Sequence, residues 1–269
     1  MEIFMKINHD FHIHTTLSLC ANETATVENY LAKAKKLGLK KLGFSNHFWD
    51  SAISGASDWY QQQDYEHVVR LKSELDRVIG EDVKTYFGCE TEYDPVHHGV
   101  ALTEETAEKF DFILVPNSHT HAMMPKDFYQ PYQKHVDFMV QAYNEILDSN
   151  VSKYITAIAH PFEAVACPYD RTILIDMISD DCFKRMFTKS AKKDVAYEIN
   201  VASMKKMTDV QIADSSQMRM FKLAKECGCK FIFGSDAHNA EAHRSYVHYV
   251  NLVADLLKLR EDDVVKIAL

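Results

Sequence analysis

In residues 6–15 the chain reads KINHDFHIHT, a short stretch that carries two histidines one residue apart near its end. A short segment of this kind, in which apolar residues are followed by polar ones, is typical of a strand that leads into a loop at the edge of a sheet. We therefore predict a first strand over Lys6–His12, leading into His12 and His14. Because side chains alternate along a strand, both imidazoles of this His-x-His pair are expected on the same side.

The same alternation of a short apolar run and a longer segment of helical period continues along the chain. Six more strands are predicted: Leu39–Phe44, Val83–Cys89, Asp111–Pro116, Tyr154–Ala159, Val195–Asn200 and Lys230–Gly234. The predicted helices are Thr26–Leu37, Tyr65–Ile79, Phe128–Leu147, one within Thr172–Ser190, Val210–Cys227 and Ala240–Leu257. Alternating strands and helices indicate a parallel α/β sheet covered by helices in a single domain over residues 1–269. Seven units favour a barrel over an open sheet, although periodicity alone does not decide closure.

Histidines and acids follow the predicted strands one after another. In chain order these polar residues are His12 and His14, Asn46-His47, Glu90, His119 with His121 beyond it, His160, Glu198 with Asn200, and Asp236 with His238. In a barrel the carboxyl ends of all strands meet at one mouth, where active sites lie. Imidazole and carboxylate are standard ligands of zinc, manganese and iron ions. With His121 and Glu198 left aside, six imidazoles and two carboxylates exceed the needs of one tetrahedral ion, so we predict two or three divalent ions.

The polar residues at the end of the sixth predicted strand are expected to have a different role from those at the other strand ends. Glu198 and Asn200 close the sixth predicted strand, and we expect only one of them to point inward. Its predicted role is hydrogen bonding and not metal ligation.

Composition excludes several other classes of protein. Of 269 residues, 30 are Lys or Arg and 39 are Asp or Glu, a formal net charge of −9. A net acidic chain is poorly suited to coat nucleic acid, so no nucleic-acid partner is expected. No apolar run approaches the length of a membrane span, and residues 1–10 lack the apolar core of a signal peptide. The six cysteines form no Cys-x-x-Cys pair, which favours reduced thiols in the cytoplasm.

Taken in order, these motifs resemble the PHP (polymerase and histidinol phosphatase) superfamily. The motifs that carry the resemblance are DFHIHT at 10–15, SNH at 45–47, GCE at 88–90, His119, AHP at 159–161 and GSDAH at 234–238. The resemblance spans most of the chain and is closest to the histidinol-phosphatase-like branch. It implies a distorted (β/α)7 barrel, up to three metal ions and hydrolysis of phosphoesters.

The resemblance also implies a set of ligands. His12, His14, Glu90 and Asp236 would hold one ion, Glu90 would reach a second ion that His119 also binds, and His47, His160 and His238 would complete the remaining sites. Many members have a further His or Asp after the His-x-His pair, where this chain has Cys20. We interpret Cys20 as a small buried thiol. Asn46 stands where Asp is common, which removes a charge behind the ligands.

The function expected from these features is metal-dependent hydrolysis of a phosphomonoester. The substrate would be a small phosphorylated metabolite, with L-histidinol phosphate of histidine biosynthesis as the first candidate on resemblance alone. A metal-bound hydroxide would attack phosphorus in line, and Asp236 would be essential. His121 would protonate the leaving alkoxide, since His119 is preferred over it as a ligand.

Three questions stay open from the sequence. Arg171 and Arg244 are the expected phosphate-binding cations, and Lys126 is a third option. The loop Phe48–Gln63, which is aromatic and polar, either covers the mouth and selects the substrate or packs on neighbouring helices. Two alternative functions are an amidohydrolase-type enzyme that cleaves a C–N bond or lactone with the same metals, and a non-catalytic metal-binding module.

Overall fold

The main sheet follows the order of the chain. The computed structural model describes residues 5–78, 82–164 and 172–269. Within these ranges the parallel strands of one sheet are β1 (His9–Ile13), β2 (Lys41–Phe48), β3 (Lys84–Thr91), β4 (Phe112–Pro116), β5 (Ala157–Ala159), β6 (Ala196–Asn200) and β7 (Phe231–Gly234). A short antiparallel ribbon, Tyr93–Asp94 with Gly99–Val100, follows β3 and was not predicted. The expected parallel α/β sheet is confirmed.

The two edge strands of this sheet approach each other and nearly close it into a barrel. The backbone N–H of His14 donates to the carbonyl oxygen of Ala237, just beyond β7, over 2.9 Å. The pairing of Ile13 with Ala237 is a single parallel bridge and not part of a continuous ladder. The predicted distorted barrel is therefore confirmed, and its seam lies between β7 and β1.

Helices cover the outside of the sheet. They are α1 (Val27–Leu37), α2 (Tyr65–Val68), α3 (Arg70–Arg77), α4 (Glu104–Ala107), α5 (Thr120–Met123), α6 (Tyr132–Asp148), α7 (Thr172–Asp176), α8 (Asp180–Lys192), α9 (Asp209–Ala213), α10 (Ser216–Glu226) and α11 (Tyr246–Leu257). Short 3-10 turns lie at Lys126–Phe128, Ser152–Tyr154, Ala202–Lys206, Ala240–Ser245, Glu261–Asp263 and Lys266–Ala268. Across the described ranges, the helices all fall short of the length and apolarity that crossing a bilayer requires.

Several helices predicted as continuous are divided, because polar residues cap a new helix within them. Ser215 accepts a hydrogen bond from the backbone N–H of Met218 and starts α10, so the predicted helix Val210–Cys227 is two helices. Ser179 caps α8 in the same way through the N–H of Cys182. The predicted helix Tyr65–Ile79 is also divided, into α2 and α3, but here the residue between them is Val69, which makes no side-chain cap. Ile79 itself lies outside the described residues.

Aromatic side chains fill the barrel below the polar strand ends. The rings of Phe11 and Phe112 are 5.1 Å apart and nearly perpendicular, and Phe11 also contacts Tyr86. Phe112 fits because Gly88 has no side chain, since a Cβ there would lie 2.3 Å from the ring. Because these apolar side chains fill the interior of the barrel, a polar site can lie only at the carboxyl ends of the strands.

Two strands extend further toward that end than predicted. β2 and β3 stay paired to their last residues, where His47 lies opposite Glu90 and Phe48 opposite Thr91. His47 and Glu90 therefore belong to regular strands and not to the loops that follow. The ladder fixes the backbone of Glu90 on both sides and that of His47 on the β3 side, which gives the side chains a rigid base.

Candidate metal centre

Four of the predicted ligands meet at the ends of β1 and β3 and just beyond β7. The Nε2 atoms of His12 and His14 are 3.2 Å apart. Glu90 Oε2 lies 3.3 Å from Nε2 of His12 and 3.4 Å from Nε2 of His14. Asp236 Oδ1 lies 3.6 Å and 3.4 Å from the same two nitrogens. Ligands of a tetrahedral zinc ion are about 3.3–3.6 Å apart, given bonds of about 2.0–2.2 Å, so these four atoms could surround one ion.

The other oxygen of Glu90 belongs to a second cluster. Glu90 Oε1 is 3.0 Å from Nε2 of His160 and 3.7 Å from Nε2 of His119. These three side chains form one of the groups whose ligand atoms are close enough to hold an ion together. Glu90 is therefore placed to bridge two cations, as a carboxylate shared between two sites.

A third group lies on the mouth side of the first. His14, His47 and His238 bring one ring nitrogen each within ligand distance, and His47 with His119 and Glu92 forms a further group. The rings of His14 and His238 stack with centroids 4.2 Å apart. Both groups share members with the first two clusters, so the possible ligand groups overlap in one continuous centre.

Carboxylates behind the imidazoles fix which ring nitrogen faces the centre. Nδ1 of His12 is 2.7 Å from Glu198 Oε1, and Nδ1 of His119 is 2.8 Å from Glu92 Oε1. Since an ionised carboxylate only accepts, each imidazole donates from Nδ1, and Nε2 is the nitrogen that faces the centre and would bind a cation. This pairing of carboxylate, imidazole and cation is the usual arrangement behind histidine ligands.

His14 is fixed by hydroxyl groups instead. The hydroxyl of Ser18 donates to Oδ1 of Asn46 over 3.0 Å, so its oxygen can accept from Nδ1 of His14, also at 3.0 Å. Oδ1 of Asn46 in turn accepts from the backbone N–H of Thr15. The amide of Asn46 thus orients the ligand through hydrogen bonds where an aspartate would add a charge.

Glu198 connects two of the clusters. One oxygen accepts from Nδ1 of His12, and the other accepts from the backbone N–H of His160 over 2.6 Å. Gly234 makes room for this carboxylate, because a Cβ at that position would lie 1.9 Å from Glu198 Oε1. Two of the predicted ligands have left-handed backbone that non-glycine residues rarely adopt, His160 with φ 25° and Asp236 with φ 50°. Such geometry is typical of residues whose position serves function more than stability.

The pKa shifts reflect the crowding of charge in the centre. Burial alone would lower the pKa of His12, but the carboxylates of Glu198, Glu90 and Asp236 outweigh it and raise that pKa well above 6.5. Burial would raise the pKa of Glu90, yet the surrounding imidazoles hold it well below its ordinary value. His47 behaves oppositely, since burial and the neighbouring His14 lower its pKa.

The buried polar atoms without partners test whether cations fit this centre. Nδ1 of His47, Oε2 of Glu90 and Oε2 of Glu92 are buried and have no hydrogen-bond partner among the described residues. An unpaired buried carboxylate oxygen is costly unless a cation neutralises it. The separations of 3.2–3.6 Å between these imidazole nitrogens and carboxylate oxygens also match the spacing of ligands around one small cation. The donor set therefore fits divalent metal ions.

A cavity of about 480 Å³ opens above the centre. Its walls are formed by Cys20, His47, Ser57, Trp59, Tyr60, His119, His121, Ala122, Asp236 and His238. The ring of Trp59 meets that of His47 edge to face at 5.2 Å, and the hydroxyl of Tyr60 donates to Glu92 Oε1. Part of the aromatic loop therefore borders the mouth, while Trp49 is buried elsewhere.

Cys20 and His121 lie near the mouth but outside the ligand groups found in the described residues. Cys20 is exposed, which corrects its interpretation as a buried thiol, and it belongs to none of the ligand groups in the described residues. His121 borders the cavity next to His119, with ring centroids 5.6 Å apart, and it too lies outside the ligand groups found. Burial and the neighbouring His119 lower the pKa of His121.

Among the residues that the structure describes, none of the predicted phosphate-binding side chains borders the cavity. Arg171 lies outside the described residues, and the side chain of Arg244 does too. Lys126 is exposed and does not border the cavity. The described part of the cavity wall contains neither lysine nor arginine.

Some residues of the centre escaped the sequence analysis. Glu92 lies two positions after Glu90, so the same alternation that pairs His12 with His14 could have placed it on the same face. The expectation that only one of Glu198 and Asn200 points inward was wrong for the same reason, since Nδ2 of Asn200 lies 3.5 Å from both oxygens of Glu198. The predicted hydrogen-bonding role of Glu198 agrees with its contacts.

Comparison with known proteins identifies the family. The sequence matches the PHP domain model over residues 10–202. Histidinol phosphate phosphatase from Lactococcus lactis subsp. lactis Il1403, solved with zinc, L-histidinol and phosphate, is similar in structure, with a TM-score of 0.66 at 17% identity over 95% of each chain. The putative histidinol phosphatase of Listeria monocytogenes has a TM-score of 0.65 at 14% identity, over 88% of this chain and 99% of its own. No curated protein sequence matches. The family match spans well over half of the chain, and the chain therefore belongs to the PHP domain family.

Proposed function

We propose that this protein is a metal-dependent phosphomonoester hydrolase that acts on a small phosphorylated metabolite. The observation that carries the proposal is Glu90, whose two oxygens each face a separate set of imidazole nitrogens. Centres with two or three cations suit phosphoester hydrolysis, because the cations can stabilise both the attacking and the leaving oxygen.

Each ligand has a proposed place in this centre. We assign His12, His14, Glu90 and Asp236 to the first ion, and Glu90, His119 and His160 to the second. His47 and His238 complete the ligands of the remaining site, together with His14. Zinc, manganese and iron all suit such ligands. When bound, these ions would activate water and neutralise the charge of the phosphate oxygens.

The cavity residues have roles that follow from their positions. Trp59 and Tyr60 offer aromatic surface to the group esterified with phosphate. His121 borders the cavity without belonging to a ligand group, which leaves its imidazole free to protonate the leaving alkoxide. A cavity of about 480 Å³ has the size of sites for small metabolites.

L-Histidinol phosphate is the first substrate to test. The similar Lactococcus protein is a histidinol phosphate phosphatase and was solved with zinc and both hydrolysis products. We take zinc as the first metal to test for the same reason.

The proposal is tested by elemental analysis of the purified protein together with phosphate release from a panel of phosphomonoesters that includes L-histidinol phosphate. We expect two or three equivalents of metal and release of phosphate, both reduced in Asp236→Asn. An Asp236→Asn variant with the metal content and turnover of the wild type would refute the assignment. Metal content with no phosphate release would point to C–N or lactone cleavage, and metal content with no turnover on any panel would point to a binding module.

A further inference from the structure

A buried carboxylate joins the two chain segments that carry most of the first cluster. Asp10 is fully buried in β1 and belongs to none of the ligand groups in the described chain. Its Oδ1 accepts from the backbone N–H of His12 over 3.1 Å and from the backbone N–H of Ser235 over 3.0 Å. One of these residues is a proposed ligand, and the other directly precedes the proposed ligand Asp236.

Asp10 occupies the place where a regular ladder is missing. On the seam side, the pairing of β1 with the chain beyond β7 is one isolated bridge, between Ile13 and Ala237. The hydroxyl of Ser235 also donates to the carbonyl oxygen of His12 over 3.2 Å. Elsewhere in the sheet, carbonyl oxygens of a neighbouring strand accept hydrogen bonds from backbone N–H groups. Across the seam, the carboxylate of Asp10 accepts from the backbone N–H of Ser235 instead.

His243 holds the other side of the same carboxylate. Its Nε2 lies 2.6 Å from Asp10 Oδ2, and the residue is fully buried. Its Nδ1 is buried without a hydrogen-bond partner in the described part of the protein, which places the donated proton on Nε2. The ring lies between Tyr30 and Tyr246, at centroid distances of 5.2 and 5.8 Å. The imidazole is thus fixed by packing, and it fixes the carboxylate by hydrogen bonding.

We infer that Asp10 and His243 are positioning residues that set the separation of the first-cluster ligands across the seam of the barrel. Through the N–H groups of His12 and Ser235, Asp10 holds the His12 side of the seam against the Asp236 side. His243 orients Asp10 for this task. The inference rests on the proposed metal centre, and it concerns how tightly that centre binds its ion.

The test measures zinc affinity of the metal-free protein by competition with a chelating indicator, together with thermal unfolding without metal. Asp10→Ala is expected to weaken zinc binding about 10- to 100-fold, the usual effect of removing a group that orients a ligand. Asp10→Asn should recover most of this loss, because the amide oxygen can still accept from both N–H groups. His243→Phe should give an intermediate loss, since it frees the carboxylate without removing it.

Asp94 provides a matched control away from the centre. It is buried, accepts from the backbone N–H of Val96 and His97, and pairs with Nδ1 of His97. Asp94→Ala therefore removes an equivalent set of hydrogen bonds. It is expected to lower the unfolding temperature while zinc affinity stays that of the wild type.

The outcomes separate this inference from the proposed function. A wild-type protein that binds no zinc, manganese or iron overturns the proposed centre, and this inference with it. If wild type binds zinc and Asp10→Ala behaves like Asp94→Ala, with lower stability and unchanged affinity, Asp10 is only structural and the inference is wrong. Should Asp10→Ala fail to fold, wild-type zinc affinity in His243→Phe overturns it equally.

Discussion

Glu90 offers the sharpest test at the level of single side chains, because its two oxygens face different clusters. Glu90→Gln keeps the shape of the side chain and removes the charge that two cations would share. We expect the metal content to fall by at least one equivalent and phosphatase activity to fall by more than about 100-fold. Elemental analysis and the initial rate of phosphate release measure both effects.

Glu92→Gln is the matched control for this substitution. Glu92 is equally buried, but its Oε1 contacts Nδ1 of His119 and the hydroxyl of Tyr60 from behind. Its replacement should cost about 10-fold in activity, because the proposed ligands of the first two ions all stay and His119 loses only the charge that orients it. Equal losses in the two variants would contradict the bridging role of Glu90.

His9 gives a pH-dependent prediction that is independent of the metals. Burial lowers the pKa of His9 from 6.5 to about 3. Above pH 6.5 the imidazole is neutral in both the folded and the unfolded chain, so it contributes no pH dependence. Between pH 6.5 and about 3 the unfolded chain binds a proton that the folded protein excludes, so His9 lowers the free energy of unfolding as pH falls.

Urea denaturation of metal-free protein over this pH range measures the effect. The wild type should lose up to about 1.4 kcal/mol per pH unit more than His9→Gln, which lacks the titrating group. Parallel pH profiles for the two proteins would show that His9 titrates normally in the folded state.

The side chains that sequence could predict are those whose type and spacing carry the chemistry. His12, His14, Asp236 and His238 come in pairs at spacing two, and this spacing places both members on one side of the chain. Ser18 and Asn46 act only through the residues that they contact. Because serine and asparagine fill many structural roles, their residue types do not indicate this one. Their part in orienting His14 is seen only in the structure, because it depends on which group the Ser18 hydroxyl donates to and which group it accepts from.

Among the structural elements, the loop that follows β2 shapes the mouth through Trp59. Trp59→Ala removes aromatic surface beside the proposed ligand His47 and replaces no proposed ligand itself. We expect KM to rise about 3- to 10-fold with little change in kcat, the loss expected for one aromatic contact. Steady-state kinetics with the best substrate of the panel measures both constants.

Trp49→Phe serves as the control within the same loop. Trp49 is buried against Tyr60, and its indole N–H donates to the carbonyl oxygen of Ile53. Its replacement should lower stability and leave KM unchanged. A Trp59 variant with wild-type KM would show that this loop covers the mouth without contacting the substrate.

Element boundaries were less predictable than element type. Periodicity identifies an apolar face, but it does not show where one helix ends and the next begins. Ser215 carries that signal for α10, and a serine within a polar stretch is easily taken as a surface residue. β2 and β3 extend to Phe48 and Thr91 because each pairs with the other, which no local pattern reveals.

For the molecule as a whole, the proposed first ion links distant parts of the chain. Its ligands lie in β1, in β3 and beyond β7, so the ion would tie the two edges of the sheet together across the seam. The fold is shared with the Lactococcus and Listeria proteins at only 17% and 14% identity. The order of the polar residues at the strand ends made the barrel predictable from this sequence, whereas no local pattern marked the position of its seam.

Metal removal tests this link between the site and the stability of the barrel. A ligand that binds only the folded state stabilises it by about 2.7 kcal/mol at a concentration of 100 times its Kd, which corresponds to about 5–10 °C in Tm for a chain of this size. Protein stripped with a chelator should therefore unfold at lower temperature, and added zinc should restore the Tm in a concentration-dependent way. In Asp236→Asn the restoration should be much smaller, because the first cluster has lost a charged ligand. A Tm that stays constant while elemental analysis shows complete removal of metal would mean that the ligands hold their positions without the ion, and the seam would then owe its closure to the protein's own hydrogen bonds.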